Sequence, residues 1–293
     1  MATIPYQFIM QFAVMLCLWG SCKAEPIFGK DVYPVDHFNE YPHIVMVTDA
    51  TRIKRCTGVV VSPRHVLTAA QCLPKGWDIQ QSWDLVNELA ASMHIVTPPS
   101  ARSASSRSFK AKSMFTYSRW ARIRELPLTE RLCNDIAVIE VHATDMGIAP
   151  VTMAYTEDTQ SPGLEVVMTG WGATRGNISP NVVHKAKVTI LSKSICESMV
   201  NGQQPQGESL IPFHLEEEFL CLAGQPNSAV ASVGDFGGPV FDQYGRLVGI
   251  LSKRCPQVKH NWLNSSPVNL ALRVSRYREF IQDAIVENEI SRF

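Results

Sequence analysis

Near the C-terminus the chain reads Gly234-Asp235-Phe236-Gly237-Gly238-Pro239, and near the N-terminus Leu67-Thr68-Ala69-Ala70-Gln71-Cys72. Between them stands Asn134-Asp135-Ile136-Ala137-Val138. The first segment is centred on an aromatic ring, the second carries a side-chain amide and the third a carboxylate. A phenyl ring has no lone pair with which to attack a carbonyl, and a Gln amide takes up no proton near neutral pH. Of Phe236, Gln71 and Asp135, only the last can hold a charge.

Around these segments lies a chain of 293 residues, 45% hydrophobic, with 27 Lys+Arg against 27 Asp+Glu. That length is ample for a core and long for one domain unless the domain is a large all-β one. Balanced charge argues against a nucleic-acid partner. No GxxxxGK[ST], HExxH or CxxC stretch occurs and the His residues are scattered singly, so neither a metal nor another cofactor is expected. Short β-type runs separated by turn residues predict strands at His43–Val47, Gly58–Val61, Ile136–Val141, Leu164–Thr169, His184–Leu191 and Arg246–Ser252. Pro162-Gly163 and Tyr244-Gly245 mark turns. Val274, Tyr277, Phe280, Ile281, Ala284 and Ile285 recur at three and four, which predicts an amphipathic helix from Ser275 to about Val286.

The apolar run Phe8–Trp19, broken only by Gln11, is too short to span a bilayer. With Cys22 and Ala24 behind it, it has the pattern of a secretory signal peptide over residues 1–24, although no basic residue precedes it. Cleavage there leaves residues 25–293, near-neutral, with six cysteines in an oxidising extracellular setting. Asn177 and Asn264 head glycosylation sequons, each followed by Pro.

The three opening segments, in this order, resemble the chymotrypsin/trypsin-like serine proteases, in which they read GDSGGP, TAAHC and NDIA. Gly170-Trp171-Gly172 and Phe219-Leu220-Cys221-Leu222-Ala223-Gly224 extend the resemblance, which runs from Ile27 to the C-terminal helix. It implies an all-β fold of two packed six-stranded antiparallel β-barrels, at about 40–150 and 164–274, closed by a helix at about 275–286. It also places Phe236 where the family has its nucleophilic Ser, Gln71 where it has its general-base His, and Asp135 as the orienting carboxylate. A triad acts as a unit, so a chain lacking nucleophile and base is expected to have lost acyl transfer. The backbone amides of Gly234 and Phe236 fall at the oxyanion-hole position, with the Phe236 ring crowding it. Val230 stands six residues before Phe236, where trypsin-like enzymes set pocket charge. Lys253-Arg254 replaces the usual Trp-Gly of the groove, and the Arg254 side chain is expected to intrude. His65, six residues before Gln71, is about 20 Å away along an extended chain and is discounted as a substitute base.

The same resemblance implies disulfides Cys56–Cys72 and Cys196–Cys221, each closing a loop of roughly 15 to 25 residues that contributes on the order of 3 kcal/mol. It leaves Cys133 and Cys255 without family partners, because Ser232 stands where Cys255 expects one. They form either a bridge across the cleft or two free thiols. Family activation needs a freed Ile ammonium beside the Asp before the nucleophile. Here Ile27 follows Glu25-Pro26 and not a basic residue, so Asp235 is expected to stay unpaired in a zymogen-like form, unless removal of the X-Pro dipeptide exposes Ile27.

Between Arg102 and Arg124 seven cations (Arg102, Arg107, Lys110, Lys112, Arg119, Arg122 and Arg124) occur without an acid, interleaved with Phe109, Phe115, Tyr117 and Trp120. Such a run is either a solvated face or a docking site for an acidic partner. The expectation is a secreted, catalytically inactive protease homologue that acts by binding an extracellular protease, inhibitor or receptor. The alternatives are an active serine endopeptidase with an atypical site, and a structural component of a secreted fluid or matrix.

Overall fold

The computed structural model describes residues 27, 32–35, 40–51, 54–74, 88–98, 105–127, 134–172, 182–201, 218–224, 229–252 and 268–290. Residues 1–24, Asn177 and Asn264 lie outside that set. Strands β1 Val32–Pro34, β2 Ile44–Asp49, β3 Lys54–Ser62, β4 His65–Thr68, β5 Met93–Val96, β6 Ser108–Thr116 and β7 Ala137–Val141 come from the N-terminal half. β8 Glu165–Gly170, β9 His184–Ile190, β10 Phe219–Ala223, β11 Pro239–Phe241, β12 Leu247–Ser252 and β13 Asn269–Arg273 come from the C-terminal half. Helices α1 Tyr117–Ile123, α2 Lys193–Asn201 and α3 Arg278–Ile290 complete the frame.

β2-β3-β4-β7-β6-β5 close into one antiparallel barrel. β8-β9-β10-β13-β12-β11 close into a second, because β8 pairs with both β9 and β11, and β1 adds to the edge of β9. The expected architecture of two six-stranded barrels and a C-terminal helix is the observed one.

Val45, Val47, Val60, Val66, Ile95, Met114 and Ile139 fill the first barrel. Their neighbours Ile44, Val59, Leu67, Phe115 and Val138 belong instead to a cluster that continues into Phe241, Leu247, Ile250 and Leu272 of the second barrel. Both faces of β3 and β7 are therefore buried, which is why Val59-Val60-Val61 reads as an unbroken apolar run and not as an alternation. A third cluster, with Met168, Val188, Leu222, Val240, Val248 and Ala271, fills the second barrel, and Ile27 is buried in it.

The C-terminal periodicity becomes a 3-10 turn at Val274–Tyr277 followed by α3, so the α-helix starts three residues later than the sequence predicts. Its apolar face meets α1 and the end of β6. Tyr117 packs edge-on against Tyr277 at 5.0 Å and Phe280 at 5.6 Å, and Phe115 stacks on Phe280 at 5.9 Å. Trp120 Nε1 donates to Asp283 Oδ2 at 2.8 Å, and Arg124 pairs with the same carboxylate. The aromatics of the basic segment are thus inter-element core.

Its cations are largely engaged as well. Lys112 Nζ lies 2.8 Å from Glu140 Oε1, and Arg107 donates to Met146 O at 2.6 Å while its guanidinium stands over Phe109. Arg119 is buried. Lys110 and Arg122 are exposed, whereas Arg102 lies outside the described residues. The segment's aromatics are structural, whereas Arg107, Lys110, Arg122 and Arg124 keep an exposed basic face.

His65 shows what a buried row of polar groups does to a titration. The register of β3, β4, β7 and β6 sets Ser62, His65, Glu140 and Ser113 side by side across four strands. Ser62 Oγ lies 2.6 Å from His65 Nδ1, and His65 Nε2 is buried without a hydrogen-bond partner among the described residues. Burial pushes the imidazole down to about 4, against the pull of Glu140 and with the push of Arg64 and Lys112. The folded state prefers the neutral ring, so stability is fully present above the unfolded value of about 6.5 and is lost as pH falls towards 4. The urea midpoint should fall over that window, and the His65→Gln variant should lose that component. An unchanged pH profile in the variant would contradict it.

Candidate active-site cleft

Gln71 sits in the 3-10 turn Ala70–Cys72 after β4, Asp135 two residues before β7, Phe236 in the turn Val233–Gly237 before β11, and Ser252 at the end of β12. The closed barrels bring these four segments, more than 180 residues apart in sequence, to one junction. Asp135 is 3% exposed and accepts three hydrogen bonds: Gln71 N to Oδ1 at 2.6 Å, Gln71 Nε2 to Oδ2 at 2.8 Å and Ser252 Oγ to Oδ2 at 2.6 Å. The Gln71 amide thus reaches the carboxylate through its NH2 group. Behind it Tyr277 OH donates to Asn134 Oδ1 at 2.8 Å, and burial holds the Tyr277 phenol well above its ordinary value, a neutral donor.

The Phe236 turn is pinned from both barrels. Thr57 N donates to Phe236 O at 2.9 Å, and Thr57 Oγ1 donates to Gly234 O at 2.8 Å while accepting from Trp171 N at 3.0 Å. Gly237 N donates to Leu251 O at 2.8 Å. The half-buried Phe236 ring packs against the core cluster of the first barrel, to which the Cys56–Cys72 disulfide belongs. An aromatic side chain with no hydrogen-bonding atom thus stands beside the Gln71 turn, and the hydrophobic effect holds it there.

Asp235 is fully buried, with Gly172 N donating to Oδ1 at 2.7 Å and Ser232 N to Oδ2 at 3.0 Å. Backbone amides of the Gly170-Trp171-Gly172 strand end and of the turn thus both bind the carboxylate. Disulfides Cys56–Cys72 and Cys196–Cys221 are both formed, with Cα–Cα separations of 5.8 and 6.1 Å. Cys133, Cys255, Lys253 and Arg254 lie outside the described residues. His65, on β4, makes its contacts with Ser62 and takes no part in this site. Among the described residues no three His, Cys, Asp or Glu side chains gather as metal ligands, and no helix is long and apolar enough to cross a membrane.

The Trypsin family model matches residues 31–281, which covers both barrels and the junction between them. The chain belongs to the trypsin family. It is similar to snake venom serine protease rhinocerase 4 of Bitis rhinoceros, 25% identical over 263 residues and covering 86% of each chain. Human granzyme M is 26% identical over 197 residues, 66% of each. The serine protease filzig of Drosophila melanogaster is 27% identical over 221 residues, but this chain spans only 11% of its length. Among solved structures, the Vibrio cholerae VesB protease superposes with a TM-score of 0.58 at 20% identity, covering 88% of this chain and 68% of that one. Mouse neuropsin does so with 0.57 at 21%, covering 88% and 98%. These two likenesses speak to the trypsin fold. The residues at its junction speak to chemistry.

The hydrogen bonds that Ser252 and Tyr277 make at this site escaped the sequence reading. Ser252 binds Asp135 across 117 residues and Tyr277 binds Asn134 across 143, and no local pattern announces such partners.

Proposed function

We propose that this trypsin-family protein is a secreted pseudoprotease that acts by binding an extracellular protease, inhibitor or receptor. The observation that supports the reading is that Gln71 donates twice to Asp135 beside the Phe236 turn, the two positions at which the family resemblance expects base and nucleophile. Acyl transfer needs a hydroxyl or thiol beside a base, and neither side chain supplies either role. Asp135 then serves as a structural acceptor. Gly234 and Phe236 retain the oxyanion-hole position, but donors without a nucleophile accomplish no transfer.

Secretion is supported by the Phe8–Trp19 run with its small-residue cleavage site and by two formed disulfides, which persist in oxidising compartments. An anionic partner can use Arg107, Lys110, Arg122 and Arg124, the exposed cations among the described residues of the Arg102–Arg124 segment.

Hydrolysis assays on a restoration series test the reading. Phe236→Ser alone should stay at background, because Gln71 provides no base. Measurable peptide or ester hydrolysis by the unmodified protein, or by the single variant, would contradict it. Affinity capture from the native secretion, followed by mass spectrometry, should return a protease, inhibitor or receptor in stoichiometric amount.

A further inference from the structure

The register of the first barrel sets charged side chains in rows on its outer wall. Ile95, Ala111, Ile139 and Val141 belong to the barrel core, so their chain neighbours His94, Lys110, Lys112, Glu140 and His142 point outward. His94 pairs with Lys110 across β5 and β6, and His142 N donates to Lys110 O at 3.1 Å, which extends the row past the end of β7. The exposed Lys110 thus stands between two imidazoles, on backbones about 4.8 Å apart, with no ionic partner among the described residues. On one side of this row Lys112 and Arg64 reach the buried Glu140 carboxylate at 2.8 and 3.5 Å. On the other side the exposed Arg107 is steadied by Met146 O at 2.6 Å.

Three acids adjoin the wall, and each is engaged. Glu140 is buried with its two cations, Asp145 caps Gly147 N at 2.6 Å, and Asp49 accepts from Thr51 N at 3.1 Å. Among the described residues, no exposed large hydrophobic side chain lies on β5, β6 or β7. We propose that this wall binds a sulfated glycan. Peptide motifs and amphipathic helices dock through apolar anchors, which the wall lacks. It offers ammonium, guanidinium and imidazole N–H donors, which match sulfate and hydroxyl oxygens. From Arg107 to Lys112 the strip runs about 17 Å, room for several sugar units in line. The proposal rests on secretion, because sulfated glycans are extracellular, and it is independent of whether the junction hydrolyses anything.

Binding of a labelled heparin oligosaccharide to the whole signal-cleaved protein tests it. The chain carries 27 Lys+Arg against 27 Asp+Glu, so affinity for this probe must come from a local face and not from net charge. The native protein should bind it, and more weakly as salt rises. Lys110→Glu, a change at an exposed side chain, should weaken binding about fivefold or more, since one attraction becomes a repulsion. Arg122→Glu on α1, at the far end of β6, should change it by less than about twofold. Desulfated heparin should not bind. No binding by the native protein, or an equal loss in the two variants, would overturn the site. Displacement of the probe by polyglutamate or by phosphatidylserine vesicles at matched charge would overturn the glycan, and would assign the wall to an acidic protein or to a membrane surface.

Discussion

Replacing Gly237 with Ala should destabilise the protein by about 4 kcal/mol or more, an exceptional loss for one methyl group. Gly237 adopts φ +80°, in the left-handed region where a Cβ costs about 1–2 kcal/mol by itself. Steric contact costs more than the backbone strain. An added Cβ would lie 2.1 Å from Thr68 Oγ1, 2.3 Å from Thr57 O and 2.9 Å from Ala69 N. None of these can step aside, because Thr68 Oγ1 is itself bonded to Thr57 O at 2.8 Å and the other two are backbone. The methyl would wedge the Phe236 turn away from the first barrel and break the bond from Thr57 N to Phe236 O. Urea denaturation should show the loss, or the variant should fail to accumulate folded. A loss below about 1 kcal/mol would mean that the turn is not wedged between the barrels.

Asp135→Ala should cost about 3–5 kcal/mol, and the cost should appear in stability and not in rate. The substitution strands Gln71 N, Gln71 Nε2 and Ser252 Oγ, three donors that converge on one buried carboxylate from both barrels. Asp135→Asn should be only partly protective, because an amide turns an NH2 towards donors that need an acceptor. Thermal or urea unfolding of both variants checks the order native, Asn, Ala. An Ala variant as stable as the native protein would show that this carboxylate holds nothing together.

The two barrels were legible through the family resemblance, while the residues themselves showed six of the strands. β3 and β7 bury both faces, so their apolar runs stand out, and the turns that bound β8 and β12 carry their own glycines. β1, β4, β5, β6, β10, β11 and β13 were not read as strands; β6, for one, begins exposed and ends buried, so its first half looks like loop. Helix α1 hid inside the basic segment. Its arginines suggested a surface, while Tyr117 and Trp120 face Tyr277 and Phe280 and Arg119 is buried. Three site positions, Gln71, Asp135 and Phe236, were legible from their flanking motifs. The bond from Ser252 to Asp135 was not, because the two residues lie 117 positions apart. Asp235 shows the same gap, since the amides of Gly172 and Ser232 that bind its carboxylate are not announced by its sequence neighbours.

The central claim is that the junction holds no activated nucleophile. Fluorophosphonate labelling of the folded, signal-cleaved protein tests it most directly, with mass spectrometry to locate any adduct. The account predicts no adduct on any Ser, Thr or Tyr, native or heat-denatured. A stoichiometric adduct at one hydroxyl, present in the folded protein and lost on denaturation, would contradict it and restore this chain to the active members of its family.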